Sequence, residues 1–255
     1  MNKNNYHTHT TRCYHASGKD EEYVIKAIQN GYSTIGFSDH APYLFPNGYV
    51  SSFRMLPNEA EGYAKSINSL KEKYKGKIDI KLGFELEYYP ALFEKEIEFL
   101  KTFNYDYLIL GQHYVDNEYE DYAIYSDSPT KSHAMLDKYI SQVILGAKSG
   151  YYTYVAHPDL INFKGDSKLY IKKMTYMITE LKKIGIPLEF NFLGFTAKRN
   201  YPNLDFWKIV SEVGNDVVIG LDAHNPSVYD DKENLQKVKQ ILKNLNITPL
   251  DKIEL

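Results

Sequence analysis

The run DEEYVIKAIQNGYSTIGFSDH, residues 20–40, contains one complete unit of the fold. Asp20 can cap a helix, and acidic residues follow it in the first turn. An apolar stripe along one face of this helix is formed by Val24, Ile25, Ala27 and Ile28. Gly31 suits the end of the helix. The run Ser33–Ser38 then predicts a strand, and His40 follows it closely.

The same alternation of strand and helix recurs along the chain. Seven strands are predicted at Asn5–His9, Ser33–Ser38, Ile78–Glu85, Tyr105–Gln112, Tyr151–Ala156, Ile186–Asn191 and Val217–Asp222. After the first helix, further helices are predicted at Asn58–Tyr74, Ala91–Phe103, Pro129–Lys148, Ser167–Ile184, Leu204–Val213 and Lys232–Leu245. The even spacing favours a parallel α/β barrel over an open sheet. Because no long linker interrupts the pattern, we predict one domain over residues 1–255.

Composition excludes several classes of protein. Of the 255 residues, 43% are hydrophobic and 25% are charged, and no apolar run is long enough for a membrane span. The first ten residues lack a signal-peptide pattern, and a single cysteine cannot form an internal disulfide, so we expect a cytoplasmic protein. A net charge of −3 argues against a broad nucleic-acid surface and favours a small-molecule partner.

Metal-type side chains lie at or near the ends of six predicted strands. In parallel barrels the active site lies at the C-terminal ends of the strands, so these groups should converge on one mouth. The nine candidate ligands are His7, His9, His15, His40, Glu85, His113, His157, Asp222 and His224. His7-Thr8-His9 alone is weak evidence, although alternation on a strand sends both imidazoles to one face. The joint pattern is much harder to obtain by chance.

Nine donors are too many for one ion. Since a first-row ion takes about four to six donors, the set predicts two or three divalent metals, and the imidazoles favour Zn, Fe or Mn over Mg or Ca. Neighbouring metals can activate a shared water and bind phosphate oxygens. The pattern therefore predicts phosphoester hydrolysis, with a small phosphomonoester as substrate.

The arginines suggest a phosphate site. Of 30 basic residues only Arg12, Arg54 and Arg199 are arginines, and all three fall in loops predicted at the mouth. An arginine fork binds phosphate bidentately, so each is a candidate phosphate ligand; the alternative is pairing with a nearby carboxylate.

Two further residues serve as comparisons. His133 lies within a predicted helix, away from the strand ends, and we expect no catalytic role for it. Cys13 lies between His9 and His15; a buried reduced thiol is the favoured interpretation, and a thiolate ligand is the alternative.

Six short motifs carry a resemblance to a known superfamily. They are His7-Thr8-His9 with His15, Ser38-Asp39-His40, Gly83-Phe84-Glu85, Gln112-His113, Ala156-His157-Pro158 and Leu221-Asp222-Ala223-His224. In this order they resemble the PHP (polymerase and histidinol phosphatase) superfamily over nearly the whole chain, which implies a distorted (βα)7 barrel. Further motifs, such as Glu189-Phe190-Asn191, make the chain most similar to monofunctional histidinol-phosphate phosphatases.

The resemblance implies a trinuclear centre and a reaction. His7, His9, Glu85 and Asp222 would hold one metal; Glu85, His113 and His157 a second; and His15, His40 and His224 a third. A hydroxide bridging two metals would attack phosphorus, which gives hydrolysis of L-histidinol phosphate to L-histidinol and phosphate. Glu87, where many relatives seem to carry aspartate, puts no ligand in doubt.

Several alternatives remain open from the sequence. Asp39 and Asp159, next to His40 and His157, could act as acid catalysts or could orient their neighbours, which is the favoured role. The substrate could instead be a nucleotide, an oligonucleotide or another small phosphomonoester. The chain could also be a non-catalytic metal-binding or phosphate-binding module.

Overall fold

Seven parallel strands form one sheet in the computed structural model, which describes residues 3–255. They are β1 Lys3–Asn5, β2 Tyr32–His40, β3 Asp79–Leu86, β4 Tyr107–Leu110, β7 Tyr154–Val155, β8 Leu188–Asn191 and β9 Val217–Gly220. Their spatial order follows the chain order. Two more strands, β5 Tyr114–Val115 and β6 Ile124–Tyr125, pair with each other as a separate antiparallel hairpin.

The segments that follow the first strand, β1, and the last strand, β9, pair with each other and close the sheet into a barrel. Thr8 bridges Ala223 in parallel fashion. The amide of His9 donates to the carbonyl of Ala223 at 3.0 Å, and the amide of Ala223 donates to the carbonyl of His7 at 3.1 Å. The predicted (βα)7 barrel is therefore confirmed, with closure at Thr8 and at the backbones of the two histidines on either side of it.

Helices cover the outside of the barrel. They are α1 Asp20–Gln29, α2 Ala60–Lys73, α3 Phe93–Lys101, α4 His133–Lys148, α5 Ser167–Ile184, α6 Phe192–Thr196, α7 Leu204–Val213 and α8 Lys232–Asn244. Their apolar faces pack on the outward side chains of the strands, such as Phe37, Phe84 and Phe190. A smaller cluster, which includes Tyr107 and Tyr154, lies on the strand faces that also carry the site carboxylates. No helix within residues 3–255 is long and apolar enough to cross a bilayer.

Some predicted boundaries were wrong. The fourth helix begins at His133 with Ser132 as its cap, four residues after the predicted start at Pro129. The reason is that Thr130 is extended and bridges Phe163, which keeps the chain out of the helix there. Similarly, Asp20 is the first residue of α1 and does not cap it.

Two elements above the barrel mouth were not predicted: the β5–β6 hairpin and the short helix α6 directly after β8. The loop of residues 41–57 after β2, which was predicted to carry Arg54 at the mouth, also lies there. The hairpin and the loop carry contacts that decide how the site is built.

Candidate active site

The barrel brings all nine predicted ligands to its C-terminal mouth. His7 and His9 lie on either side of the Thr8 bridge, and His40 is the last residue of β2. The other ligands lie in β3 or in the loops after β1, β4, β7 and β9: His15, Glu85, His113, His157, Asp222 and His224. Seven of the nine are buried; His15 and His224 lie nearer the surface.

Four donors surround one point at the centre of this group. His7 Nε2 lies 3.4 Å from Glu85 Oε2 and 3.5 Å from Asp222 Oδ1. His9 Nε2 lies 3.5 Å and 3.1 Å from the same two oxygens, and 3.1 Å from His7 Nε2. Donors bound tetrahedrally at 2.0–2.2 Å are about 3.3–3.6 Å apart. The spacing therefore fits a metal of first-row size.

Glu85 extends toward a second set through its other oxygen. Its Oε1 lies 2.8 Å from His157 Nε2 and 3.6 Å from His113 Nε2. The carboxylate reaches this position because residue 111 is glycine: a Cβ there would lie 2.0 Å from Glu85 Oε1. One carboxylate thus faces two groups of imidazoles, as a bridging ligand must.

The third predicted set is only partly assembled. His15 Nε2 and His224 Nε2 lie 2.9 Å apart, so both nitrogens point at one place. The His40 ring lies 5.4 Å from the His15 ring, but its Nδ1 faces Glu85 Oε2 at 3.1 Å. His40 thus lies between the sets.

Buried carboxylates and imidazoles at the centre shift the pKa values of one another. Glu85 Oε2 is buried and has no hydrogen-bond partner among the described residues, although three imidazoles surround it. Burial would raise the pKa of Glu85, but His113, His7 and His40 outweigh it and hold that pKa well below its usual value. Burial likewise opposes protonation of His7, yet Glu189, Asp222 and Glu85 raise its pKa to about 10. The donor chemistry suits a multi-metal site.

Most of the histidines are oriented by an acceptor at Nδ1, which leaves Nε2 for a metal. The pairs are His7 with Glu189 at 2.7 Å, His9 with Asp39 at 3.3 Å, His15 with the Cys13 carbonyl at 2.7 Å, His113 with Glu87 at 2.7 Å, and His224 with the Asp222 carbonyl at 3.0 Å. This arrangement fixes the tautomer and the ring direction.

Sequence reasoning missed two of these orienting carboxylates. The sequence placed Glu189 only within the motif Glu189-Phe190-Asn191, and no site residue was predicted for β8. In the structure, Oε1 of Glu189 accepts from Asn191 at 2.6 Å. A Cβ at residue 220 would lie 2.1 Å from Oε2 of Glu189, so the glycine at this position makes room for the carboxylate. Glu87 was noted only as a departure from relatives. Buried acidic residues near strand ends were the signal available for both.

Asp39 is placed to orient His9, whereas Asp159 makes its hydrogen bonds to the start of α7. Asp39 accepts from the amides of Thr10 and His40 at 3.1 and 2.9 Å, besides facing His9. Asp159 accepts from the Asn203 amide at 2.6 Å and the Trp207 indole at 3.0 Å. Burial raises the pKa of Asp159 to about 6, although these donors oppose the shift. Asp159 makes no hydrogen bond to His157, so it holds the segment that follows α6 and not its neighbour.

Two of the three arginines have contacts that do not fit phosphate binding. Arg12 donates to both oxygens of Asp20, at 3.0 and 3.1 Å, which is the alternative raised from the sequence. Arg54 is buried, and Glu87, Glu118 and a carbonyl use all five of its N–H donors. Arg54 therefore has no donor left for a substrate, and Arg12 is paired with Asp20 through its Nη1.

Arg199 differs from the other two. It is exposed, and its side chain makes one hydrogen bond among the described residues, to the Tyr201 hydroxyl at 3.3 Å. The Tyr201 ring lies 5.7 Å from the His157 ring, and Tyr125 stacks over His113 at 6.3 Å. Burial lowers the pKa of Arg199, but Tyr201, Tyr125 and Asp222 outweigh it. Arg199 thus lies beside the donor cluster with its charge largely available.

The two comparison residues behave differently. His133 begins α4 and is exposed. Its ring lies 6.1 Å from the Phe163 ring, and neither residue belongs to the donor cluster. Cys13 is buried and lies with His15 and His224 within ligand distance of a common point. Burial raises the pKa of its thiol, but contacts with the neighbouring histidines lower it to about 5.

Sequence comparison agrees with this architecture. The PHP domain family model matches residues 5–193. The chain belongs to the PHP domain family. A probable histidinol-phosphatase of Deinococcus radiodurans is 30% identical over 236 residues, which cover 86% of this chain and 85% of that protein. The histidinol-phosphatase of Bacillus subtilis is 33% identical over 124 residues, 45% of each chain.

Solved structures of similar fold include two histidinol phosphatases. One is a putative histidinol phosphatase from Listeria monocytogenes, with a TM-score of 0.74, 23% identity, and coverage of 92% of this chain and 99% of that one. The other is histidinol phosphate phosphatase from Lactococcus lactis complexed with zinc, L-histidinol and phosphate, with a TM-score of 0.75, 20% identity and 99% coverage of both chains. They support the fold of this PHP domain.

Proposed function

We propose that this PHP domain is a metal-dependent histidinol-phosphatase that hydrolyses L-histidinol phosphate to L-histidinol and phosphate. The observation that carries the proposal is the ring of nine convergent donors, with Glu85 facing two sets of imidazoles. The full-length relative named as a probable histidinol-phosphatase supports the choice of substrate. A net charge of −3 favours a small phosphomonoester over a nucleic acid, and the lone cysteine is typical of the cytoplasm.

Three divalent first-row ions would be held as follows. His7, His9, Glu85 and Asp222 would bind one; Glu85, His113 and His157 a second; and His15, His40 and His224 a third. When bound, such ions supply Lewis acidity, which activates water and offsets negative charge on a phosphate. The chain itself contributes the orientation of each imidazole through its acceptor at Nδ1.

Arg199 is the phosphate ligand that we propose. Unlike Arg12 and Arg54, it forms no ion pair with a carboxylate among the described residues, and it lies close enough to Asp222 and Tyr125 for their charges to act on it. Its planar guanidinium would bind non-bridging oxygens and stabilise charge as the phosphoryl group transfers. Tyr201, which accepts a hydrogen bond from Arg199, would hold it in that direction.

Asp127 is a candidate to bind the substrate's ammonium group. It follows Ser126, whose amide donates to the His113 carbonyl at 2.7 Å, so it lies beside the same mouth. Burial raises its pKa, and Arg199, His157 and Lys164 act in the opposite direction. An ammonium on the substrate would supply the opposite charge that a partly buried carboxylate lacks.

A phosphatase screen of metal-replete protein tests the proposal. We expect kcat/KM for L-histidinol phosphate to exceed that for AMP, glycerol phosphate and an aryl phosphate by about a hundredfold or more, because polar groups stay unpaired with simpler esters. Asp127→Asn should raise KM for histidinol phosphate and leave the aryl phosphate unaffected. His133→Ala is the matched control and should behave as wild type. Equal kcat/KM for all monoesters would reduce the protein to a general phosphatase.

A further inference from the structure

Arg54 is the centre of a buried charged network outside the donor cluster. Its residue exposure is 1%, and its Nη1 and Nη2 donate to the two oxygens of Glu87 at 3.1 and 2.9 Å. Nε donates to Glu118 at 3.0 Å, and Nη2 contacts the same oxygen. The remaining donor reaches the Ala41 carbonyl at 3.1 Å. A guanidinium with all five donors satisfied is fixed in position.

The network joins three segments that are far apart in the sequence. Arg54 belongs to the loop of residues 41–57, Glu87 follows β3, and Glu118 lies in the turn between β5 and β6. Tyr49 adds a second contact between the loop and the turn, since its hydroxyl lies 3.4 Å from Glu118 Oε1. One arginine thus holds together the two segments that cover the mouth.

The network ends on a candidate metal ligand. Glu87 Oε1 accepts from Arg54 and also lies 2.7 Å from Nδ1 of His113. Because Arg54 holds both oxygens of Glu87 in place, it also fixes the oxygen that faces His113, and the orientation of that imidazole depends on Arg54.

A second contact runs through an aromatic ring. The Arg54 guanidinium lies 4.4 Å from the centre of the Phe53 ring. Phe53 in turn packs edge-on against His40 at 5.0 Å and against His113 at 5.8 Å. Arg54 therefore acts on one side of the donor cluster, the side of His113 and His40.

We propose that Arg54 is a positioning residue which, through Glu87 and Phe53, presets His113 for metal and so sets the affinity of the metal position that His113 helps to form. This rests on the proposed function in one respect, that His113 is a metal ligand. The position built on His7, His9 and Asp222 has its own orienting groups, Glu189 and Asp39, and does not depend on Arg54.

Metal titration of the metal-free chain tests the proposal without any substrate. Zn²⁺ or Mn²⁺ is added in competition with a chromophoric chelator to wild type, Arg54→Met and Arg54→Lys. We expect Arg54→Met to weaken one binding step about 10- to 100-fold and to leave the tightest step unchanged. Arg54→Lys should recover only part of the affinity, because an ammonium cannot bridge both carboxylates. Lys71→Met, which removes a partly exposed pair with Asp106, is the control for losing a cation.

Two further variants separate the possible failures. Glu87→Gln keeps the size of the side chain and should weaken the same step, which covers the case in which Arg54→Met does not fold. In ¹⁵N-histidine spectra, the Nδ1 proton signal that His113→Ala removes should weaken or shift in both variants. If His113→Ala loses a metal while Arg54→Met and Glu87→Gln bind like wild type, this inference is overturned and the proposed function stands. If His113→Ala loses no metal, the ligand assignment itself fails and the inference with it.

Discussion

Two buried carboxylates in one strand region, Glu85 and Glu87, are neutralised in different ways. Glu85 faces imidazole nitrogens, and its Oε2 has no hydrogen-bond donor among the described residues. Glu87 instead receives hydrogen bonds from Arg54 on both oxygens. His113 lies between them, with Nε2 toward Glu85 and Nδ1 toward Glu87.

The difference shows how a binding centre can be told from a structural ion pair. A buried carboxylate is strongly unfavourable unless a positive charge is close. Glu87 obtains that charge from the chain itself, so its network is complete without a ligand. Glu85 has only imidazoles, which can bind a metal through Nε2 because most of them are held at Nδ1. An incomplete balance of charge, and not the number of acidic residues, marks the functional site.

Removing the metal-facing carboxylate should have the largest effect. Glu85→Ala takes away the group that faces both sets of imidazoles, so we expect loss of at least one metal per chain. A loss of several kcal/mol of transition-state stabilisation corresponds to about a thousandfold or more in kcat. Elemental analysis and steady-state kinetics measure the two effects. A Glu85→Ala protein with full metal content would show that this carboxylate is not a bridging ligand; His133→Ala is the control.

Replacing Arg199 should have an intermediate effect of another kind. Arg199→Ala removes a charge-assisted phosphate contact worth roughly 1.5–3 kcal/mol, which is about ten- to a hundredfold in kcat/KM. Metal content should stay unchanged, since Arg199 touches none of the proposed ligands' orienting groups. Lysine should restore only part of the rate, because it lacks the planar fork. If Arg199→Ala keeps wild-type kinetics, Arg199 does not bind the phosphate.

The sequence predicted the parts of the molecule that depend on local pattern. Strand and helix periodicity placed the barrel, and the histidines at strand ends placed all nine donors at one mouth. It could not predict the role of Arg54, because Glu118 lies 64 residues away in a turn with no pattern of its own. The scarcity of arginine pointed equally to Arg54 and Arg199, and only the surrounding carboxylates distinguish them. Glu189 follows no ligand spacing, and its place between Leu188 and Phe190 in an apolar strand was the one signal that could have found it.

Glu96 shows a third way to bury a carboxyl group, by protonation. It lies in α3 under the loop of residues 41–57, and its Oε2 accepts from the Leu44 amide at 3.0 Å. Its Oε1 has no hydrogen-bond partner among residues 3–255. Burial raises the pKa of Glu96 to about 8, with Glu87 adding to the shift and the Leu44 amide, Arg54 and Lys95 opposing it.

Glu96 therefore predicts a small pH dependence of stability. A folded-state pKa raised above the unfolded value near 4.5 means that the folded protein binds the proton more tightly. Its contribution to the free energy of unfolding is full below about pH 4.5 and is lost as the pH rises through about 8. Glu96→Gln keeps the shape and the acceptor for Leu44 but cannot ionise. Between pH 6 and pH 9, the free energy of unfolding should therefore fall by roughly 1–3 kcal/mol more in wild type than in Glu96→Gln. Urea unfolding of both proteins at the two pH values, with Glu94→Gln on the same helix as control, measures the difference. Parallel losses in wild type and Glu96→Gln would mean that Glu96 stays ionised in the folded protein.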